Sequence, residues 1–158
     1  MRPLTSAAPA QALAALALAL TPLAFLHPVR ILGHSMEPGL KPGSVRLALR
    51  PWCAGAPAAG QVWLVRTPAG TAVKRLVAVP GDRVELRGGS LWINGSLVAE
   101  PYVERPERES AGPWTLGPGY FMLGDNRGAS RDSRSWGALA PEALEGRILA
   151  GPAPHPVS

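Results

Sequence analysis

The stretch QVWLVRTPAGTAVKRLVAVPGDRVELR, residues 61–87, holds three short runs rich in Val and Leu, separated by the turn-forming TPAG and PGD. Apolar runs of five to nine residues between Gly and Pro breaks predict β-strands, because a helix needs a longer uninterrupted 3.6-residue period. Upstream, Val45, Leu47 and Leu49 alternate with Arg46, Ala48 and Arg50, the period-two pattern of another strand. Downstream, LWINGSLV at 91–98 sets Asn94-Gly95 between two apolar runs. Both residues tolerate positive φ, as a type I′ hairpin requires; the same Asn94-Gly95-Ser96 also matches a glycosylation sequon, but the hairpin is its reading here. Residues 104–113 are charged and loop-like, and YFMLGDNRGASRDSRSWGAL at 120–139 runs from a short strand into a polar loop. PEALEGRILA, at 141–150, predicts a brief helix, and the Pro-rich tail at 151–158 reads as loose. The fold expected is mainly β, with antiparallel sheets forming one domain over residues 29–150.

Length and composition agree. The 158 residues suffice for one domain with its own core and leave no room for a second. Gly and Pro, 18 of each, favour frequent turns, and the net charge of +5 is scattered, with no uniformly basic stretch of five. Nucleic-acid binding calls for a basic stripe interleaved with aromatics, which is missing, so nucleic acid is not an expected partner. A scattered basic surface suits anionic lipid headgroups better. Ala7 to Leu26 carries no charge and approaches the roughly 20 residues that cross a hydrocarbon core, so residues 1–28 read as an N-terminal transmembrane anchor. The same segment also fits a cleaved export signal, although no polar region follows its small residues. Arg2 on one side against His27 and Arg30 on the other leaves its orientation undecided by charge. Cys53 is the only cysteine, so no disulfide or cysteine-based metal site forms within one chain.

Ser35, in GHSMEPGL at 33–40, raises a question of chemistry. A serine hydroxyl is a weak nucleophile until an unprotonated base takes its proton. His34 is adjacent, but neighbours in an extended chain point to opposite faces, so a triad of Ser35, His34 and Asp125 is poorly arranged. His27 and His155 lie by the apolar segment and in the tail. There are two lysines, Lys41 and Lys74, against fourteen arginines, and a guanidinium stays protonated at any working pH. In TAVKRLVAV, residues 71–79, Lys74 and Arg75 fall on opposite faces of a strand, so one of them accompanies an apolar face. Alternation leaves open which one, or whether both snorkel to water. A buried Lys74 loses proton affinity through desolvation and becomes a usable base.

SMEP at Ser35–Pro38, VKRLVAVPGD at Val73–Asp82 and GDNRGASRDSRSWG at Gly124–Gly137 together resemble the type I signal peptidases, in that family's order and behind an N-terminal anchor. The resemblance implies a membrane-anchored serine endopeptidase that removes signal peptides from exported preproteins. It further implies Ser35 as nucleophile, Lys74 as general base, Ser130 as the hydroxyl that hydrogen-bonds the lysine, and Asp132 with Arg134 as a supporting ion pair. Asp125 belongs to the same supporting run, and the Ser35 backbone N–H is one oxyanion donor. Cleavage after small residues needs shallow apolar pockets, for which Ile31, Leu32, Met36, Leu40 and Val73 are candidates. No metal or cofactor is implied. The expected setting is the cell membrane, with one span, the domain on the outer side, and Met36 and Trp136 dipping into the bilayer interface. The chain departs from part of the family in carrying Gly33 where some members have a serine that helps hold the oxyanion, and Gly39 where threonine is usual. Two other readings compete: a self-cleaving Ser/Lys regulator, disfavoured by the apolar segment, and a non-enzymatic anchored β-module that binds envelope proteins or lipids.

Overall fold

A computed structural model of the chain describes residues 8–104 and 108–149. The loose tail expected at 151–158 lies outside the described residues. Helix α1, Ala8–Phe25, leads directly into a sheet of six antiparallel strands. These are β1 (Leu26–Arg30), β2 (Val45–Leu49), β3 (Val62–Thr67), β4 (Gly70–Ala78), β9 (Phe121–Leu123) and β10 (Leu144–Ile148), in the spatial order β1-β2-β10-β3-β4-β9. The second sheet contains β5 (Arg83–Arg87), β6 (Ser90–Ile93), β7 (Ser96–Leu97) and β8 (Ala111–Thr115), in the order β7-β6-β5-β8. The boundary expected after residue 28 falls inside β1, since the chain turns extended at Leu26. Among the described residues, no helix is long and apolar enough to cross a membrane.

The local turn signals translate into hairpins. Thr67 pairs with Gly70 across the Pro68-Ala69 turn. Ile93 pairs with Ser96 across Asn94-Gly95, whose φ values of 52° and 81° are those a type I′ turn demands. Three apolar clusters make the core. One joins Val77, Val84, Leu86, Leu91 and Phe121. Another gathers Val29, Ile31, Met36, Leu40, Ala48 and Val62, and the third is built on Trp63, Val65, Leu76 and Met122.

Two expectations are corrected here. PEALEGRILA forms a single 3₁₀ turn, Pro141–Ala143, followed by β10. Leu144, Gly146 and Ile148 alternate inward along that strand, and its place between β2 and β3 supplies long-range pairing that outweighs the helix propensity of Ala, Leu and Glu. Met36 is 1% exposed and packed in the core, so it cannot reach an interface. Trp136 is half-buried, packed against the Trp63 cluster. In β2 the buried residue is Ala48, while Val45 and Leu47 face outward.

Candidate active site

β4 is buried along the whole of Lys74–Ala78, on both of its faces. Central strands pack on both sides, so the choice between Lys74 and Arg75 dissolves: both are buried, at 3% and 7% exposure. Register fixes their opposite sides, with Lys74 paired to Trp63, and Arg75 paired to Val62 and Leu123. A buried cation needs compensation, and the two solve the problem differently.

Lys74 Nζ lies 2.6 Å from Ser35 Oγ, across 39 residues of sequence. Desolvation holds its ammonium below the ordinary lysine value; the charges of Asp132 and Asp125 oppose this, and that of Arg134 assists it. Arg75 keeps its charge through a bidentate pair, Nε and Nη2 donating to Asp125 at 2.8 and 2.7 Å, with Nη1 donating to the Gly60 carbonyl. Asp125 itself, desolvated, is pushed above the usual carboxylate range, against the pull of Arg75.

Asp132 is fully buried and saturated. It accepts from Gly124 N–H at 3.0 Å, Ser130 Oγ at 2.7 Å, and Arg134 Nε and Nη2 at 2.8 and 3.1 Å. It also caps the short helix α2, Ser133–Trp136, by accepting from Arg134 N–H. The hydroxyl of Ser130 donates to Asp132, while the hydrogen bond of Lys74 Nζ runs to Ser35 Oγ rather than to Ser130. No triad with His34 assembles either. His34 is exposed with Nδ1 on Glu37 at 3.0 Å, while Asp125 is engaged by Arg75.

The loop carrying Ser35 is pinned from the Gly124–Arg127 segment. Asn126 N–H donates to the Ser35 carbonyl at 3.0 Å, and Asn126 Nδ2 donates to the His34 carbonyl at 3.2 Å. Beside this loop, Glu37, Pro38, Lys41, Glu104, Asp125 and Asn126 line a recess of about 320 Å³. Of the residues proposed for apolar pockets, Ile31, Met36 and Leu40 are buried in one cluster with Val73 against it. Leu32 is 80% exposed. Among the described residues, no group of His, Cys, Asp and Glu is arranged to hold a metal ion.

No role follows from the sequence for Gly124, Asn126 and Arg127, although all three lie in the family-like segment Gly124–Gly137, or for Arg75, Glu100 and Tyr102. The one local hint was Arg75, a second basic residue inside an apolar strand.

Comparison with known proteins points the same way. The family described as "Signal peptidase, peptidase S26" matches residues 4–150. Signal peptidase IB of Staphylococcus aureus is 30% identical over 142 residues, covering 77% of this chain and 74% of that protein. A probable signal peptidase I-2 from Synechocystis is 37% identical over 78 residues, 49% of this chain and 36% of the relative. The chloroplastic thylakoidal processing peptidase 1 of Arabidopsis thaliana is 43% identical over 78 residues, 49% of this chain but 23% of the relative. The match thus spans well under half the length of these last two. The crystal structure of a signal peptidase I from Enterococcus faecalis superposes with a TM-score of 0.53 at 28% identity, over 58% of this chain and 96% of that one. With the family match running through almost the whole sequence, the chain belongs to the signal peptidase, peptidase S26 family.

Proposed function

We propose that this chain is a membrane-associated serine endopeptidase that cleaves signal peptides from exported preproteins, with Ser35 as nucleophile and Lys74 as general base. The observation that carries this reading is the 2.6 Å approach of a buried lysine to a serine hydroxyl. In its neutral form Lys74 takes the Ser35 proton along that line as Oγ attacks the scissile carbonyl. The ammonium so formed then protonates the leaving amine, and water, activated by the same nitrogen, releases the acyl group from Ser35. The Ser35 backbone N–H stands at the oxyanion. Asp132 with Arg134, and Asp125 with Arg75, are carboxylates already neutralised by arginine, so neither forms a salt bridge that would hold Lys74 protonated. Ser130 supports the site through Asp132.

The segment ending at Phe25 serves in this reading as the membrane anchor, with the domain on the outer face and lipids as partners. Support comes from the uncharged helix α1 and from Leu32, Val45, Leu47, Trp52 and Leu149, apolar residues that stand exposed on or near the β1–β2 edge. In this reading the exposed Leu32, and Val73 packed on the cluster of Ile31, Met36 and Leu40, supply the apolar surface that meets the small residues before the cut.

The test is incubation of detergent-solubilised protein with a purified preprotein beside a Ser35→Ala control. Cleavage at the signal-peptide junction is expected from the first and none from the second; equal cleavage by both would remove Ser35 from the mechanism. A further expectation concerns Gly33. A Cβ built there meets nothing within 4 Å. Gly33→Ser is therefore expected to fold with unchanged thermal stability and, by adding a hydroxyl near the oxyanion, to raise kcat several-fold. The scale for comparison is the roughly hundredfold or greater cost of deleting an established donor. Steady-state kinetics with a peptide substrate measure it.

A further inference from the structure

The connection from β7 to β8 carries Glu100-Pro101-Tyr102, closed by a turn in which Val103 N–H donates to the Glu100 carbonyl at 3.0 Å. Although it belongs to the second sheet, this turn reaches two arginines of the active-site region. The Arg75 guanidinium carbon stacks 3.9 Å above the centre of the Tyr102 ring. Tyr102 Oη donates to Glu100 Oε1 at 3.0 Å, and Arg127 Nη2 donates to that same oxygen. The side chains of Arg127 and Glu100 are only 2% and 8% exposed. Each arginine in turn grips the loop that holds Ser35: Arg75 through Asp125, Arg127 through its Nε bond to the Gly124 carbonyl at 3.0 Å. Directly after the gripped Gly124 and Asp125 comes Asn126, whose N–H holds the Ser35 carbonyl.

We propose that Glu100 and Tyr102 are positioning residues. They fix Arg127 and Arg75, these fix the Gly124–Arg127 segment, and that segment sets where Ser35 Oγ stands relative to Lys74. Neither residue touches the reacting atoms. The inference rests on the reading of Ser35 and Lys74 as the reacting pair. Its force is geometric: reacting groups misplaced by about 1 Å lose roughly a hundredfold in rate, even when the cause is remote.

The experiment uses the full chain in detergent and one peptide spanning a signal-peptide junction, with kcat and KM measured for Glu100→Gln, Tyr102→Leu and Tyr102→Phe beside the melting temperature of each. Glu100→Gln, which keeps shape and loses charge, and Tyr102→Leu, which removes the ring beneath Arg75, are expected to lower kcat about tenfold or more with KM within twofold. Tyr102→Phe keeps the ring and is expected to hold kcat within about threefold of the parent. A role in stability alone would lower the melting temperature and leave kcat unchanged, and that result overturns the inference, as does a loss carried by KM. Phe as damaging as Leu at position 102 overturns the stacking of Tyr102 on Arg75 as the operative contact. If Tyr102→Leu fails to fold, the same kcat and KM split in Glu100→Gln decides. None of these results touches the dyad itself, whose failure would be seen in an inactive parent or an active Ser35→Ala.

Discussion

Lys74→Arg is expected to abolish cleavage, with kcat falling by at least 10²- to 10⁴-fold, the usual contribution of a general base. The change preserves charge and length and removes the one property the chemistry uses, because a guanidinium does not give up its proton. Among the described residues, Lys74 is set apart from the buried arginines, Arg75 and Arg127, by having no carboxylate partner of its own. Its ammonium is held below the ordinary value near 10.5, first by desolvation. Activity should therefore rise with pH through a midpoint below that value. A flat profile with chemistry rate-limiting, or full cleavage by Lys74→Arg, would remove the lysine from its role. The same titration acts on stability. Between the depressed folded value and the unfolded one the unfolded chain binds more protons, so stability rises with pH across that window. In Lys74→Met that climb should flatten in melting curves taken at several pH values, while Ser35 remains inert for want of a base.

Gly124→Ala is expected to lower kcat by roughly a hundredfold and to destabilise the fold by about 1–3 kcal/mol, the range for forcing a methyl into a packed interior. A Cβ at this position would lie 2.6 Å from the Ser35 carbonyl oxygen and closer still to the side chain of Ser130. Neither neighbour can yield freely. The Ser35 carbonyl is held by Asn126, and Ser130 is held by Asp132. Relief must come from moving either the nucleophile loop or the turn beneath it. Kinetics corrected for the folded fraction separate the two effects, and a variant with parental kcat would mean that the segment accommodates the methyl without disturbing Ser35.

What could be read in the sequence divides by range. The hairpins at Pro68-Ala69 and Asn94-Gly95 were legible because a turn is decided by the residues that form it. β10 was not. Gly146 hides its alternation, and only its insertion between β2 and β3, nearly a hundred residues from β2, makes it extended. Lys74 and Ser35 were reached by eliminating other bases and by the three family segments, while the burial of Arg75 behind Lys74 escaped a rule that assumes one wet face. The partner of Ser130 escaped for a related reason. Spacing suggests that two groups share a site but cannot apportion their hydrogen bonds, and here the Ser130 hydroxyl donates to the Asp132 carboxylate. The turn at Glu100 and Tyr102 gave no sign at all, since its meaning lies in two arginines 25 or more positions away.

The pairing of Asp125 with Arg75 and of Asp132 with Arg134, all four side chains largely shielded from water, makes the surroundings of the amine close to electroneutral by construction. Mobile ions screen exposed charges within about a Debye length but have little hold on pairs sealed in protein. The proton affinity of that nitrogen is thus set from within, and a surface that meets changing salinity can keep its chemistry on one setting.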